Sequence, residues 1–277
     1  MRATLLAVIV AVVTAGPGCD RKPEPAPASG GAVVYRSPDG RVISREELKG
    51  VSGTFNYEIV GGEDVPAEAR QLHAQARAAG GRGEYDKAVA LLRRASEAAP
   101  RWPYPVYDLA YTYLLQKDFE NARVHYRKTL DLSPRGFFTA ITAVDALELE
   151  KKGELPAGLY LAYLSLEWVD KPSERGDLVR QLAERQPGFA PGLKERALLA
   201  DDDGERLRWI EKGLAANPDA ETKGVLLINK ALLLDRRGER DAAVNLLGQL
   251  ALDPQSTFAT EHLAKATLAN LTAAGGG

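Results

Sequence analysis

The stretch RGEYDKA at residues 82–88 returns in altered form as QKDFENA at residues 116–122, thirty-four positions later. The same spacing separates Pro100 from Pro134, and each proline follows one of these stretches by a few helical turns. Proline lacks a backbone N–H and ends a helix, so each unit reads as a helix that starts in the charged stretch and stops at the proline. An internal period of this length is typical of stacked helical hairpins.

Further turns continue the pattern toward the C-terminus. Gly204 and Gly238 lie 34 positions apart, whereas Gly153 and Gly204 lie 51 apart, so about one and a half units occupy that interval. Connections of a few residues favour antiparallel neighbours. The sequence predicts about twelve helices, at residues 66–80, 84–98, 104–116, 118–132, 137–151, 155–169, 174–185, 191–200, 204–216, 220–236, 239–251 and 257–273.

This pattern resembles the tetratricopeptide repeat (TPR) family, specifically over residues 69–136 and more loosely over 137–254. In that family a small residue, here Ala88 and Ala122, lies where two helices cross closely. The resemblance implies an all-α fold, with a TPR-like right-handed superhelix over residues 66–273. The first helix of each unit would line a concave groove that holds a partner protein or peptide. The alternative is an irregular helical domain without a superhelix.

The resemblance also assigns candidate partner-binding residues to the groove. Tyr104, Tyr107 and Tyr111 are spaced by three and four residues and therefore share one helix face. Tyrosine suits such a role because it buries a large area and still forms hydrogen bonds. The alternative is that these rings pack against the preceding β-containing segment or cap the core. The remaining assigned residues are Asp108 beside the tyrosines, His73 and Arg77 in the first unit, and Phe138, Ile141 and Asp145 in the third.

The N-terminal residues 1–18 have the features of a signal peptide. Arg2 precedes an apolar run from Ala3 to Ala15, which is too short to span a hydrocarbon core of ~30 Å and has the length of a signal-peptide core. Cys19, the only cysteine, follows Gly18 in a context that resembles the bacterial lipoprotein processing site. The resemblance implies a mature chain that begins at Cys19 and carries a lipid (palmitate) there. The alternatives are an uncleaved anchor helix or a free thiol.

Two short segments separate Cys19 from the helices. Residues 19–31 are proline-rich and predict a semi-rigid tether. Residues 32–62 predict a small β-containing segment, in which Ser37-Pro38-Asp39-Gly40 forms the turn of a hairpin and Thr54 to Ile59 forms a third strand.

Composition and motifs favour a binding function over catalysis. The net charge of −2 offers no basic excess for nucleic acid. The three histidines lie outside any HExxH pair and the single cysteine cannot build a structural zinc site, so no metal or other cofactor is expected. The leading hypothesis is a non-enzymatic scaffold or adaptor, lipid-anchored to the inner or outer membrane of the bacterial cell envelope. The alternatives are an envelope enzyme or enzyme subunit acting on glycan or peptidoglycan, and a binder of small molecules or lipids within the superhelix.

Overall fold

The structure, a computed structural model, describes part of the chain: the backbone of residues 32–36, 42–43, 56–60 and 65–273, and the side chains of residues 65–271. The predicted signal peptide, Cys19 and the tether lie outside the described residues. The chain divides into two units, Met1–Asp64 and Val65–Gly277.

The first unit contains three described strands, which form one antiparallel sheet. They are β1 (Ala32–Arg36), β2 (Val42–Ile43) and β3 (Asn56–Val60), in the order β2-β1-β3. Tyr35 lies at the centre of the sheet and pairs with Ile43 on one side and with Tyr57 on the other. The turn predicted at Ser37-Pro38-Asp39-Gly40 lies outside the described residues.

The second unit is all-α over its described residues, which confirms the predicted fold class. Most boundaries lie within a few residues of those predicted, and none of the described helices is long and apolar enough to cross a membrane. The twelve helices are α1 (Ala67–Gly81), α2 (Tyr85–Ala98), α3 (Pro103–Leu115), α4 (Phe119–Leu132), α5 (Ala140–Lys152), α6 (Leu159–Leu164), α7 (Pro172–Arg185), α8 (Ala190–Leu198), α9 (Asp203–Ala215), α10 (Ala220–Arg236), α11 (Arg240–Leu252) and α12 (Phe258–Ala273).

The helix predicted at residues 155–169 is shorter than expected. The chain forms α6 over six residues and then a 3-10 turn at Ser165–Trp168. The Glu150 carboxylate reaches forward from α5 and accepts hydrogen bonds from the backbone N–H groups of Gly158 and Tyr160, both at 2.7 Å. This carboxylate satisfies the free N–H groups at the start of α6, so the helix begins only there.

One backbone turn recurs between the helices of a pair. At Gly83, Lys117, Gly153 and Gly238 the residue has a positive φ and its N–H donates to the carbonyl three residues earlier. In each case the next N–H donates to the carbonyl five residues earlier, which ends the first helix and starts the second. The sequence predicts a turn of the same kind at Gly204; this prediction is wrong, because Gly204 lies in the first turn of α9, capped by Asp202.

The predicted close crossings coincide with buried alanines. Ala88 and Ala122 are 1% and 0% exposed, in α2 and α4. We expect Ala122→Leu to lower the melting temperature, because overpacking a filled core costs about 1–3 kcal/mol, which is roughly 2–4 °C per kcal/mol for a domain of this size. Thermal denaturation checks this, with the exposed Lys128→Leu as control. Equal melting temperatures for both variants would contradict the repeat alignment.

The C-terminal helices fold back onto the middle of the array, which the repeat pattern alone does not predict. Helix α10 packs against α5 and α8 as well as its neighbours in sequence. The Phe258 N–H at the start of α12 donates to the Arg135 carbonyl at 2.8 Å, and the Arg135 guanidinium donates to the Ser256 carbonyl and pairs with Glu261. Repeat units usually contact only their neighbours. Here the α4–α5 loop and α12 hold the third unit against the last helices.

Candidate functional site

Two of the three assigned tyrosines lie in the interior. Tyr104 and Tyr107 are 6% and 5% exposed. The ring of Tyr104 packs edge-on against Phe137 at 4.8 Å, and the ring of Tyr107 packs against Tyr126 at 5.5 Å, between centroids. Both rings therefore lie in the core, and removing either one would leave a cavity. A role for them in partner binding stays a prediction.

The loop after α4 explains this burial. Phe137 and Phe138 are consecutive, with centroids 4.6 Å apart, and both rings contact Tyr104 and Tyr107. Phe138 has a φ of 47°, which is unfavourable for a residue with a side chain. Both phenylalanines pack on the tyrosines from this conformation, and Phe138 itself remains half-buried.

A hydroxyl cluster fixes the buried face of α3 to the next units. The Tyr107 hydroxyl and the Thr139 Oγ1 share a hydrogen bond of 2.9 Å, and the Tyr160 hydroxyl donates to the same Oγ1 at 3.2 Å. Burial raises the pKa of the Tyr107 hydroxyl, so the group is protonated and acts as a hydrogen-bonding anchor.

His73 and Asp108 join the first helices of the first two units. The His73 Nε2 and the Asp108 Oδ2 are 2.8 Å apart, with the histidine 4% exposed and the aspartate side chain 23% exposed. The Trp102 ring packs edge-on against His73 at 4.9 Å between centroids. Arg77 lies one turn further along α1 and is half-buried. The groove residues assigned to the first two units thus lie close together, but His73, on α1, is buried in a packed contact.

Tyr111 is the most accessible of the three tyrosines. It is half-buried and lies close to Trp168, which is 39% exposed. Burial raises the pKa of the Tyr111 hydroxyl, and the nearby carboxylates Glu167 and Asp108 act in the same direction. Sequence reasoning missed Trp168, because the end of α6 carried no repeat signal.

Asp145 is exposed on α5 and faces the start of α10. Asp219 caps α10 there: its Oδ1 accepts from the Glu221 N–H at 3.0 Å and from the Thr142 hydroxyl at 3.0 Å. Asp145 reaches solvent, but partial desolvation raises its pKa, and the negative charge of Asp219 adds to this effect. Sequence reasoning missed Thr142, Asp219 and Glu221, since α5 and α10 are distant in the chain.

Among the carboxyl groups of residues 65–271, Glu221 is the one whose pKa is raised furthest. Its Oε2 is buried and accepts no hydrogen bond. Burial raises its pKa to about 8, and Asp219 adds to the shift, while Lys194 opposes it. The groups that face it are Asp219 on α10, Lys194 on α8, Tyr107 on α3 and Tyr160 on α6. At neutral pH the group is therefore mostly protonated.

This shift predicts how stability depends on pH. A carboxyl whose pKa is raised in the folded state favours folding below its unfolded pKa of about 4.3, and this contribution disappears as the pH rises through its folded pKa near 8. Glu221→Gln removes the titration, so we expect the variant to be more stable than the wild type at pH 9, by on the order of 1–2 kcal/mol. Denaturant unfolding from pH 5 to 9 checks this. A constant difference between the two proteins over that range would contradict the assignment.

Residues 65–271 contain no group of three or more His, Cys, Asp or Glu side chains that could hold a metal ion. A depression of about 500 Å³ lies among α7, α8 and α9 and includes Leu193, Trp209 and Lys212. Its volume is in the range of ligand sites, but Arg196 and Lys212 already lie over the Trp209 ring, 5.2 and 4.3 Å from its centroid.

Comparison with known proteins identifies the repeat. The model of the tetratricopeptide repeat family matches residues 106–135, which cover most of α3 and α4. A search of the curated proteins finds no match.

Several solved structures are similar to the chain at low identity. A fragment of MamA from Desulfovibrio magneticus RS-1 is 15% identical, with 67% of this chain and 94% of that chain covered and a TM-score of 0.33. A thermophilic TPR protein from Thermus thermophilus is 18% identical, with 72% and 99% covered and a TM-score of 0.30. PilW, described as a widely conserved type IV pilus biogenesis factor, is 16% identical, with 69% and 97% covered and a TM-score of 0.30.

Proposed function

We propose that this chain, a TPR protein by its family match and its recurring turns, is a scaffold that holds a partner protein or peptide at the bacterial cell envelope. One observation carries the proposal. The assigned groove residues form a surface whose inner rings are packed and whose outer members, Asp108, Tyr111, Phe138 and Asp145, keep partly or fully exposed side chains. We call these four residues the first-helix strip.

The packing beneath the first-helix strip favours binding. Tyr107 is fixed by Thr139, and Asp108 is fixed by His73, so the backbone that presents the strip is held in place before a partner arrives. Binding to a preorganised surface loses less conformational entropy than binding to a mobile one. Tyr111, together with the adjoining Trp168, offers aromatic edges of the kind that dominate binding energy at protein interfaces.

The proposed partner binding can be tested by capture from envelope extracts. We expect Tyr111→Ala and Trp168→Ala to lose the partner that the wild-type chain retains, because each removes an aromatic contact worth about 1–2 kcal/mol, or roughly five- to thirtyfold in affinity. Leu252→Ala is the control, since Leu252 is 81% exposed on α11. Full retention of the partner by both aromatic variants would place the binding surface elsewhere.

The membrane tether is the second part of the proposal. It is supported by the apolar run of residues 3–15, by Cys19 directly after Gly18, and by the proline-rich residues 20–28. We expect the mature chain to begin at Cys19 and to partition with membranes, and Cys19→Ser to release it or to leave the signal peptide uncleaved. Intact-mass measurement of the membrane-extracted protein checks this. An unmodified thiol on the mature chain would refute the lipid anchor.

A further inference from the structure

The last helices of the chain form a compact body of their own. Eight buried apolar residues from α10, α11 and α12 make one hydrophobic core, which includes the fully buried Leu247. Leu226 of α10 packs with Ala197 of α8 and Ile210 of α9, which attaches this core to the two preceding helices. Close-packed apolar side chains hold helices rigidly together. Helices α8 to α12 therefore form one body, which we call the C-terminal body.

A polar seam joins the C-terminal body to the α4–α5 region. The Thr142 hydroxyl of α5 donates to the Asp219 Oδ1 at the start of α10, at 3.0 Å. In the loop before α5, Arg135 pairs with Glu261 of α12, and the Arg135 carbonyl accepts from the Phe258 N–H at 2.8 Å. Helices α1–α5 meet the C-terminal body mainly through these contacts, which we call the polar seam.

The polar seam consists of the kinds of contact that contribute least to stability. The Arg135 side chain is 43% exposed, so its ion pair with Glu261 competes with water and is screened by salt. Beside Asp219, the buried Oε2 of Glu221 accepts no hydrogen bond. Closing the seam removes this carboxyl from water without giving that oxygen a partner, and opening relieves this cost. The weakest contacts thus lie at the boundary between two well-packed bodies.

Helix α6 also links the two bodies. Its Tyr160 hydroxyl donates to the Thr139 Oγ1 in the loop before α5, at 3.2 Å, and its Tyr163 hydroxyl accepts from Lys194 of α8 at 2.9 Å. The helix has six residues and continues as the 3-10 turn Ser165–Trp168. Short 3-10 stretches of this kind often mark hinges. A small rotation at α6 and this turn opens the polar seam and leaves the core of each body intact.

We propose that the polar seam is a latch, and that the C-terminal body moves between the closed position of the structure and an open position that admits the partner. The proposal rests on the proposed scaffold function and adds its regulation. Thr142 lies one turn before Asp145 on α5, and Phe138 lies in the loop that carries Arg135. Opening the latch therefore uncovers the face of α5 beside two members of the first-helix strip, while α3 stays packed beneath Tyr111.

The latch makes access to the strip depend on conditions. A partner that binds the open position shifts the equilibrium toward it, and its apparent affinity falls in proportion to the fraction of chains that are open. Higher salt weakens the pair between Arg135 and Glu261, so it favours the open position.

Distance measurement between two spin labels tests the movement. Lys128→Cys on α4 and Leu252→Cys on α11 place one label at an exposed position on each body, in a full chain that also carries Cys19→Ser. Adding Arg135→Gln should produce a second distance in at least a tenth of the molecules, with a share that rises with salt. The matched control is Arg127→Gln, which removes the same charge and an ion pair with Glu148 away from the seam.

The control Arg127→Gln should keep the single distance of the unaltered seam. A reference pair of labels within the C-terminal body, at Ala215→Cys and Leu252→Cys, should show one distance in every variant. A single, unchanged distance between the two bodies in Arg135→Gln at all salt concentrations would overturn the latch. A second distance in the reference pair would also overturn it, because the C-terminal body would then not be rigid.

A disulfide across the polar seam tests the link to binding. A Cβ on Gly136 would lie 3.7 Å from the Thr257 Cβ. This separation is within the range of about 3.5–4.5 Å found in disulfides. Gly136 has a φ of 101°, so Gly136→Cys strains the loop. The reduced form of Gly136→Cys, Thr257→Cys has the same strain and is therefore the control for the oxidised form, again with Cys19→Ser.

In the envelope capture, the oxidised form should lose the partner and the reduced form should retain it. If both forms retain the partner equally while Tyr111→Ala loses it, the latch fails and the scaffold function stands. If Tyr111→Ala and Trp168→Ala retain the partner as well, the proposed binding surface itself is wrong. Should strain unfold the cysteine variant, the label distances alone decide for or against the latch.

Discussion

Replacing Gly224 with alanine should strongly destabilise the second unit, because helices α10 and α12 touch at this position. A Cβ atom on Gly224 would lie 2.0 Å from the Thr260 Oγ1 and 2.9 Å from the Thr260 Cβ. Thr260 is 3% exposed, and its hydroxyl is hydrogen-bonded to the Thr257 Oγ1 at 2.9 Å. The Thr260 side chain therefore cannot move away from an added methyl group without disturbing its neighbours. Overpacking costs about 1–3 kcal/mol, and we expect the upper end, a fall of roughly 6–12 °C in melting temperature.

Gly248→Ala is the matched control for this prediction. Gly248 lies inside α11, and a Cβ there would meet nothing within 4 Å. The same substitution should therefore stabilise the protein by up to about 1 kcal/mol, because alanine favours a helix more than glycine does. Adding Thr260→Ala to Gly224→Ala should restore part of the lost stability. A Gly224→Ala variant as stable as the wild type would show that α12 does not pack on α10 here.

The double variant Tyr104→Ala, Tyr107→Ala should fail to fold at physiological temperature. Removing a buried aromatic side chain costs about 3–5 kcal/mol, and a domain has only about 5–15 kcal/mol in total. Both rings are buried against Phe137 and Phe138, so the lost contacts add to the cavities that remain. Circular dichroism should show the loss of helical signal.

The conservative variant Tyr107→Phe separates packing from hydrogen bonding. It keeps the ring and removes only the bond to Thr139, which should cost about 1 kcal/mol and leave the helical signal intact. If instead the double alanine variant keeps the helical signal and melting temperature of the wild type, the buried position of these rings is wrong. In that case, alanine variants at Tyr104 and Tyr107 would remain folded and could be used to test partner binding.

The parts of the fold that were predictable are those set by local sequence. The turns at Gly83 and Lys117 repeat at a fixed spacing, and each rests on hydrogen bonds within a few residues. The repeat period therefore located α1 to α4 and the buried alanines Ala88 and Ala122. The late start of α6 was missed, because it depends on the side chain of Glu150 reaching past a turn to cap the helix.

Long-range contacts were beyond the reach of the repeat pattern. Arg135 and Glu261 are far apart in sequence, and nothing local to either residue signals that they meet. The same holds for the start of α10: a glutamate at that position, such as Glu221, looks like an ordinary favourable charge at a helix N-terminus. Its burial against Asp219 becomes apparent only when α10 lies on α5.

The same limit applies to the candidate site. Tyr111, Asp108 and Asp145, which the family resemblance assigns to the groove, keep partly or fully exposed side chains, and their role in binding stays a prediction. The resemblance did not predict that the loop carrying Phe137 and Phe138 covers Tyr104 and Tyr107, nor that Trp168 adjoins Tyr111. Both depend on how the third unit is held, which the spacing of residues in one helix does not encode.

Site-specific photo-crosslinking tests most directly whether a partner is held on the first-helix strip and the adjoining Trp168. A photoreactive phenylalanine analogue is placed at Trp168 or at Asp145, and as control at the exposed Ala90 on α2, in chains expressed in the native envelope. We predict that positions 168 and 145 cross-link to the same partner protein and that position 90 does not. Cross-links to that partner from position 90 alone, or equally from all three positions, would contradict the account.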